Sequence, residues 1–288
     1  QGFLNSFKVD ITTADSSISS GENYYVEHRI EGSDCRHLML GTANAKTVTL
    51  QFWARSQVTG IHCVSLQNSA QNRSYPFEYT ISSANTWEYF TETIALDTGG
   101  TWLTDTGIGL RVRWSLGAGS SYQGVGDSWE AARDDCTSNQ VNAVASTGQF
   151  GLAGVQLEVG SVATDFEHEP ISVTLAKCQR YLWVVPTANG DYISMGLVNG
   201  STATLNLLPL PVTMRAVPSL VLSAETHFGC VEIGVATRAT TALSLDGASS
   251  EQLAMMQATV SSSGMAQGEA TVLSSASASA TMALTAEL

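Results

Sequence analysis

The sequence has few charged residues, very few lysines and no long apolar run. Only 14% of its 288 residues are charged, against about 25% in an ordinary soluble domain, and only Lys8, Lys46 and Lys177 are lysines. Because no apolar stretch reaches about 18 residues, the pattern predicts no membrane insertion. There is no glycine at every third position and no heptad repeat, which excludes collagen and coiled-coil structure. The 43% of hydrophobic residues excludes a disordered chain.

Basic residues are also scarce relative to acidic ones. Thirteen Lys and Arg against 26 Asp and Glu give a formal net charge of −13. Nucleic-acid binding needs clusters of Lys and Arg that neutralise phosphates, and the closest basic pair in the sequence is Arg111 and Arg113. We therefore expect no nucleic acid among the partners.

Paired cysteines are missing. The five cysteines are widely scattered, with no C-x-x-C pair and no zinc-site spacing. This predicts free thiols in a protein assembled in a reducing cytoplasm, and no metal site. The first residues also lack a charged segment followed by an apolar one, so we expect no secretory signal. The cysteines are Cys35, Cys63, Cys136, Cys178 and Cys230.

Catalytic motifs are missing as well. The five histidines form no H-E-x-x-H motif, and neither a G-x-S-x-G elbow nor a phosphate-binding or dinucleotide fingerprint occurs. Glu167, His168 and Glu169 stand next to one another, but neighbouring side chains on a strand point to opposite faces. We expect a solvated segment there. The sequence predicts no catalytic residue, no cofactor and no enzymatic activity.

What the sequence does have is short alternating segments. In residues 47–54, TVTLQFWA, Val48, Leu50 and Phe52 alternate with polar residues, which predicts a strand buried on one face. Turn-forming clusters separate the segments. This pattern is typical of an antiparallel β-sandwich over residues 1–165. The other segments are 62–68, 77–82, 87–96, 109–116 and 150–160.

The character of the sequence changes after about residue 165. Leu175, Cys178 and Leu182 recur at helical spacing, which predicts a short helix near 172–183 within a connector over 166–186. Residues 187–288 are expected to form a smaller β-sandwich.

The C-terminal residues 276–288 alternate Ala, Met and Leu with mostly Ser, Thr and Glu. The alternation predicts a strand whose small side chains approach a neighbouring sheet closely, such as that of another chain. A low-complexity tail is the alternative.

Aromatic residues in irregular segments are the candidates for ligand binding. Trp53 and Trp114 lie in alternating strands and are expected in the core. Trp102 and Trp129 lie beside Gly, Asp and Ser, where a ring can be either exposed or packed.

The segment 122–149 is the least regular part of the sequence, and we expect a long surface loop. The overlapping segment 117–136 is the candidate site. It offers two aromatic rings for stacking on a sugar and three polar side chains for hydrogen bonds to sugar hydroxyls. The alternative is that this loop covers a sandwich end or contacts a neighbouring subunit. The candidate ligand-binding residues are Trp102, Tyr122, Gln123, Asp127, Trp129 and Asp134.

The segment 154–183, GVQLEVGSVATDFEHEPISVTLAKCQRYLW, resembles a signature of bacteriophage virion proteins. These are tail-fibre and tail-associated proteins with a carbohydrate-binding-like jelly roll, and their usual form is VQLEVGSVATPFEHRP…LALCQRYY. Residues 154–164 and 166–168 match that form, while Asp165 stands where Pro is usual and Glu169 where Arg is usual. Segments 47–56, 85–96 and 210–220 and the terminal 285–288 also look like family segments.

The resemblance implies a jelly roll over 1–165 and a structural protein of the virion. Such proteins are usually homotrimers with a distal C-terminal domain, and they contact other virion proteins. The motif carries over no catalytic residue. Because receptor binding is typical of these proteins, we expect a fibre, spike or appendage protein that recognises a host-surface glycan. Two alternatives stay open: a purely structural head or tail decoration or adaptor protein and, more distantly, a glycan depolymerase.

Overall fold

The computed structural model describes residues 2–232 and 236–288, and the chain divides into two compact units, Gln1–His168 and Glu169–Leu288. Most of the regular structure is antiparallel β-sheet, and the helices are short: α1 (Gly32–Cys35) and α2 (Ile171–Gln179). The all-β class expected from the sequence is confirmed. None of the helices in the described ranges is long and apolar enough to cross a membrane.

The first unit contains all the strands expected before residue 165, together with two earlier strands, β1 and β2. Each expected segment lies within or largely overlaps an observed strand. The strands are β1 (Phe7–Ile11), β2 (Asn23–Glu31), β3 (Thr47–Ser56), β4 (Gly60–Gln67), β5 (Ser74–Ile81), β6 (Glu88–Ala95), β7 (Ile108–Ala118), β8 (Gln123–Gly124), β9 (Cys136–Thr137) and β10 (Gly148–Val159).

These strands form two four-stranded sheets that pack face to face. One sheet has the order β1-β10-β3-β6 and the other β2-β7-β4-β5. Phe52 of the first sheet and Trp114 of the second meet edge to face, with ring centroids 5.8 Å apart. Both side chains are fully buried. The unit is therefore a sandwich of the jelly-roll type, with its core between the sheets.

Strand β3 is buried on both faces, whereas its alternation predicted one buried face. Thr49 and Gln51 point away from the core and are nevertheless covered. The chain after β10 runs over them, since Thr49 Oγ1 donates to Gly160 O at 2.9 Å and Gln51 Nε2 donates to Thr164 O at 2.8 Å. The expectation was wrong because alternation shows which side chains face the core but not what lies across the other face.

The second unit begins with α2, which ends at Gln179, a few residues before the end expected for the helix. The chain then extends as a strand instead of continuing the helix. The strands are β11 (Leu182–Val185), β12 (Tyr192–Gly200), β13 (Ala203–Pro209), β14 (Ser219–Leu222), β15 (Phe228–Glu232), β16 (Ala236–Leu245), β17 (Leu253–Val260), β18 (Ala270–Ser275) and β19 (Met282–Thr285).

Most strands of the second unit form one sheet that closes on itself. The closed barrel has the order β12-β13-β17-β16-β15-β18, and a separate three-stranded sheet has the order β11-β19-β14. The core of this unit contains Phe228, Met256 and Leu273 from barrel strands, together with Met282 and Leu284 of β19. A smaller β-sandwich was expected over residues 187–288; the structure is all-β there, and its main sheet closes into a barrel.

The C-terminal strand is shorter than expected. Only Met282–Thr285 is a strand, and it lies in the middle of the three-stranded sheet. The side chains of Ala280, Met282, Leu284 and Ala286 are buried in the unit's own core. The expectation that this small-residue face meets another chain is therefore wrong for these side chains, because the chain's own sheet covers them.

Candidate functional site

The structure divides the six predicted ligand-binding residues between two places. Tyr122, Gln123 and Asp134 lie against the outer face of the second sheet, and Trp102 and Trp129 lie together at the edge of the sandwich core.

Asp127 lies where the chain crosses the β5 edge strand between these two places. Its N–H donates to Pro76 O at 2.8 Å, and three residues later Glu130 pairs with Ser74 through two backbone hydrogen bonds.

Segment 122–149, expected to be a surface loop, is irregular and partly exposed, but residues 134–137, 143 and 144 are buried against the second sheet. Asp135, Cys136 and Ala143 are completely buried. The N–H of Ala143 donates to Leu116 O of β7, and that of Val141 donates to Ile61 O of β4, both at 2.8 Å. The expectation of a surface loop therefore does not hold for these buried residues, because they pair with polar groups of the second sheet.

Arg113 of β7 is the centre of an ion network beneath that segment. It is 1% exposed. Its Nη1 donates to Asp135 Oδ1 at 2.6 Å, and its Nε and Nη2 donate to Glu27 Oε2 at 3.0 and 2.5 Å. Its guanidinium also lies 3.9 Å from the ring centroid of Tyr25. The positive charge of Arg113 is therefore balanced by the carboxylates of Glu27 and Asp135.

Glu27 connects this network to two further arginines. Its Oε1 accepts from Arg29 Nε at 2.6 Å and from Arg111 Nη1 at 2.8 Å. Burial acts to raise the pKa of Glu27, but the hydrogen bonds from Arg29 and Arg113 outweigh burial and hold the pKa below its ordinary value. Glu27 is thus ionised at neutral pH, as the three arginines require.

Asp134 and Tyr122 belong to the same packed layer. The carbonyl of Asp134 accepts from Ser65 Oγ at 2.6 Å, and its carboxylate lies 3.4 Å from Ser74 Oγ. Burial raises the pKa of the Asp134 carboxyl. The Arg133 guanidinium lies 4.5 Å from the ring centroid of Tyr122. Since these groups are engaged within the chain, the part of the outer face beneath Asp134 is covered by protein.

Gln123 is held by backbone pairing. It lies in β8, which pairs in parallel with β9 so that Gln123 is opposite Cys136. Its Nε2 donates to Ala118 O at 2.9 Å. Its amide therefore has a partner within the chain.

Trp102 and Trp129 form an aromatic cluster with Tyr75. The two indole rings are perpendicular, with centroids 5.6 Å apart, and Trp129 lies 5.3 Å from Tyr75. Trp102 is only 9% exposed, and its Nε1 donates to Gly99 O at 3.0 Å. Of the two possibilities open for Trp102, the structure shows packing rather than exposure.

Trp129 is half-buried and held at the edge of the cluster by a hydrogen bond from Nε1 to Ala95 O at 2.8 Å. Asp127, two residues earlier, is exposed and has φ of 60°. Burial raises the pKa values of Glu92 and Tyr75, and the charge of Asp127 raises both further. Tyr75, Glu92, Asp127 and Trp129 are called the Trp129 site below.

The Trp129 site combines an indole ring, a phenol and two carboxylates. Half-buried aromatic rings provide apolar contact area with a polar group at one end, and carboxylates accept hydrogen bonds. Sequence reasoning missed Tyr75 and Glu92. The signal for Glu92 was available, because in β6 it shares the inward face with Phe90 and Ile94.

A small cavity lies near Trp102. Its volume is about 180 Å³, and its lining includes Cys35, Met39, Leu103 and Trp102. Ligand pockets usually measure about 300–1,000 Å³. The cavity is therefore smaller than the usual ligand pocket.

The remaining candidate groups do not converge. Glu167 and His168 are exposed, as expected, and the His168 ring lies 5.0 Å from that of Phe166. All five cysteines are free thiols, and only Cys178 is exposed. Among residues 2–232 and 236–288, no group of three or more His, Cys, Asp or Glu side chains is placed to hold a metal ion.

Comparison with solved structures shows a weak likeness to a viral protein. No family model matches the chain, and none of the curated proteins does. A chain in the atomic structure of Sulfolobus Turreted Icosahedral Virus is similar with a TM-score of 0.20 and 11% sequence identity. The alignment covers 100% of this chain and 62% of the viral chain. A likeness this weak carries no argument about fold or function.

Proposed function

We propose that the protein is a structural component of a bacteriophage virion: a non-enzymatic fibre, spike or appendage protein that recognises a host-surface glycan. It forms a homotrimer and contacts other virion proteins. The observation that carries the proposal is the resemblance of segment 154–183 to virion proteins, together with the structural role of that segment.

The residues of the motif form a turn that closes one face of the sandwich. The Glu158 carboxylate accepts from the backbone N–H of Thr164 at 2.8 Å and from its hydroxyl at 2.7 Å. Gln156 Oε1 accepts from the N–H of Glu167 at 2.8 Å. Thr164 O in turn accepts from Gln51 of β3. A motif whose side chains build a turn over β3 supports the interpretation that it marks a fold and not a catalytic site.

The position of Asp165 supports the same interpretation. Proline is usual at this place in the family, and in this chain Asp165 is an exposed residue outside the strands. Asp165 follows the Thr164 turn and precedes half-buried Phe166, so it lies in the connection that leaves this turn.

Glycan recognition is best supported at the Trp129 site. Trp102 and Asp134, two of the six candidates, are buried, and the Gln123 amide already has a partner. Trp129 and Asp127 remain accessible, and the charge of Asp127 contributes to the raised pKa of Glu92. A sugar could stack on the indole ring while its hydroxyl groups donate hydrogen bonds to the neighbouring carboxylate.

The test is competition for phage adsorption. Purified protein at increasing concentration is added to host cells before phage, and bound protein, free phage and released reducing sugar ends are measured. We expect saturable cell binding, reduced adsorption and no release of sugar ends. Release of sugar ends would instead support a depolymerase, and absence of cell binding would support a decoration or adaptor protein, which labelling of the virion would locate.

A further inference from the structure

The outer surface of the second unit's barrel carries a cluster of exposed apolar side chains. Tyr192 is 71% exposed, Met195 75%, Leu197 56% and Leu207 46%. Single exposed apolar residues are normal on a protein surface, but a contiguous group marks an interaction site.

The register of the strands shows that these side chains are contiguous. Met195 of β12 pairs with Leu207 of β13, which pairs with Met255 of β17. In the next row, Leu197 pairs with Leu205. Since directly paired residues lie on the same face of a sheet, two adjacent apolar rows cross the outside of the barrel. We call these five residues and Tyr192 the β12–β13 patch.

The strands that carry the β12–β13 patch contain no charged residue. This holds for β12, β13 and β17, and also for β18 on the other side of β12. The absence of charge contrasts with the chain as a whole, whose formal net charge is −13. These strands therefore differ in composition from the rest of this acidic chain, because they present apolar side chains and no charge.

We propose that the β12–β13 patch is the surface through which copies of this chain associate. Around a rotation axis each residue near the axis meets its own copies, so acidic side chains there would repel one another. An uncharged patch avoids that repulsion. A different protein that binds so acidic a chain would be expected to use charge complementarity, for which these strands offer no group.

The most exposed residues of the patch supply about half of the area that a stable interface needs from each partner. If a fully exposed side chain of this size presents on the order of 180 Å², the four most exposed residues present roughly 450 Å². A stable interface needs about 800 Å² from each partner. Leu205 and Met255 add to the patch, and Pro209 and Leu253 pair in the row beyond Leu207 and Met255. The neighbouring apolar residues thus extend the surface toward the required area.

The experiment compares the oligomeric state of matched glutamate variants of the full chain. Light scattering and sedimentation velocity at tens of micromolar measure the mass of the wild type and of Leu197→Glu, Met195→Glu and Ser244→Glu. Ser244 is exposed on β16, which is opposite β12 in the order of the closed barrel. The control therefore adds the same charge to the same barrel away from β12.

We expect the wild type and Ser244→Glu to be trimers. In the two patch variants we expect the dissociation constant of the trimer to rise by about 100-fold or more, because desolvated like charges would face each other. Circular dichroism and melting curves establish that each variant is folded. If Leu197→Glu does not fold, Leu197→Gln tests the same contact without a charge. A monomeric wild type, or folded patch variants with unchanged mass, would overturn the proposal.

The inference rests on the homotrimer of the proposed function, but its test does not depend on glycan recognition. Mass is measured without cells, and a monomeric variant retains the Trp129 site of the first unit. Cell binding by a monomeric wild type would overturn the association proposal and the homotrimer but not glycan recognition, whereas a trimer that does not bind cells would overturn glycan recognition alone.

Discussion

The guanidinium of Arg113 and the carboxylate of Asp135 form a buried ion pair, with Nη1 2.6 Å from Oδ1. Arg113 lies in the middle of β7, and Asp135 lies immediately before β9 in an irregular segment. Both side chains are closed off from water. The pair therefore attaches the irregular segment to the outer face of the second sheet and makes it part of the packed structure.

Removing one partner of this pair should destabilise the first unit. In Arg113→Met, the carboxylates of Asp135 and Glu27 lose a shared partner, and an uncompensated buried charge costs about 3–5 kcal/mol of unfolding free energy. Urea unfolding followed by tryptophan fluorescence measures the change. The control is Lys8→Met, which removes an exposed pair with Asp10 and should cost no more than about 1 kcal/mol. Equal effects of the two substitutions would show that the buried network does not hold the segment.

The stability of the first unit should depend on pH through Asp97. Its carboxylate accepts two hydrogen bonds from Arg73, at 2.6 and 2.7 Å. Burial acts to raise its pKa, but Arg73 and the N–H of Gly99 outweigh burial, so the pKa lies below its ordinary value of 3.8. A lowered pKa in the folded state contributes stability that is present above pH 3.8 and is lost as the pH falls through the folded pKa.

Asp97→Asn should therefore lower the melting temperature at pH 7 and reduce its fall on acidification below about pH 4. Melting curves from pH 7 to pH 2 measure both effects. Asp10→Asn is the control, because that carboxylate is half exposed. A wild-type-like acid dependence in Asp97→Asn would show that the Arg73 pair does not contribute to acid unfolding.

Asp127→Asn should weaken glycan binding without affecting the fold. Asparagine is nearly isosteric and tolerates the positive φ of this position, 60°. Losing a charged acceptor from the Trp129 site should weaken binding to cells by about 10-fold, since hydrogen bonds to charged groups contribute roughly 1.5–3 kcal/mol. Asp34→Asn makes the same charge change at an exposed position of α1. Unchanged binding in Asp127→Asn would place the glycan elsewhere.

Trp129→Ala should reduce both binding and thermal stability. Its ring contacts Trp102 and Tyr75, and truncating a packed aromatic residue costs up to about 3–5 kcal/mol. Trp129→Phe keeps a ring and should recover most of the melting temperature but not the hydrogen bond to Ala95. If Trp129→Ala loses stability while cell binding of the folded fraction is unaltered, the role of Trp129 is structural.

Thiol labelling should distinguish Cys178 from the other cysteines. Cys178 is exposed and the other four thiols are buried. Burial raises the pKa of Cys35 and of Cys136 to about 12 and that of Cys63 to about 11. A thiol reagent at pH 8 should modify one cysteine quickly, because only the thiolate reacts. Cys178→Ser should abolish that fast phase, and fast labelling of any further thiol would contradict the packing around it.

The strands were predictable because alternation is a local property of the sequence. Val48, Leu50 and Phe52 face the core, as their spacing of two requires. The helix was predictable from the spacing of Leu175 and Cys178. Its end was not predictable, because the residues that follow form β11, which pairs with the distant strand β19.

The candidate site was predictable only in part. Trp129 and Asp127 were identified from their own segment, which is rich in small and polar residues. Tyr75 and Glu92 come from strands β5 and β6, and no feature of the segment around Trp129 indicates that these strands lie beside it.

The sequence by itself therefore determined the all-β class, the free cysteines, the core face of the main strands and the presence of a short helix near residues 171–179, since each depends on composition or short-range spacing. The tertiary structure decided that residues 160–164 cover β3, that the second unit's main sheet closes into a barrel, and that Asp135 is buried against Arg113. The physical reason is that these three features depend on contacts between residues far apart in the chain. Such contacts are stabilised by burial and charge pairing in the folded protein, and they produce no periodic pattern in the sequence.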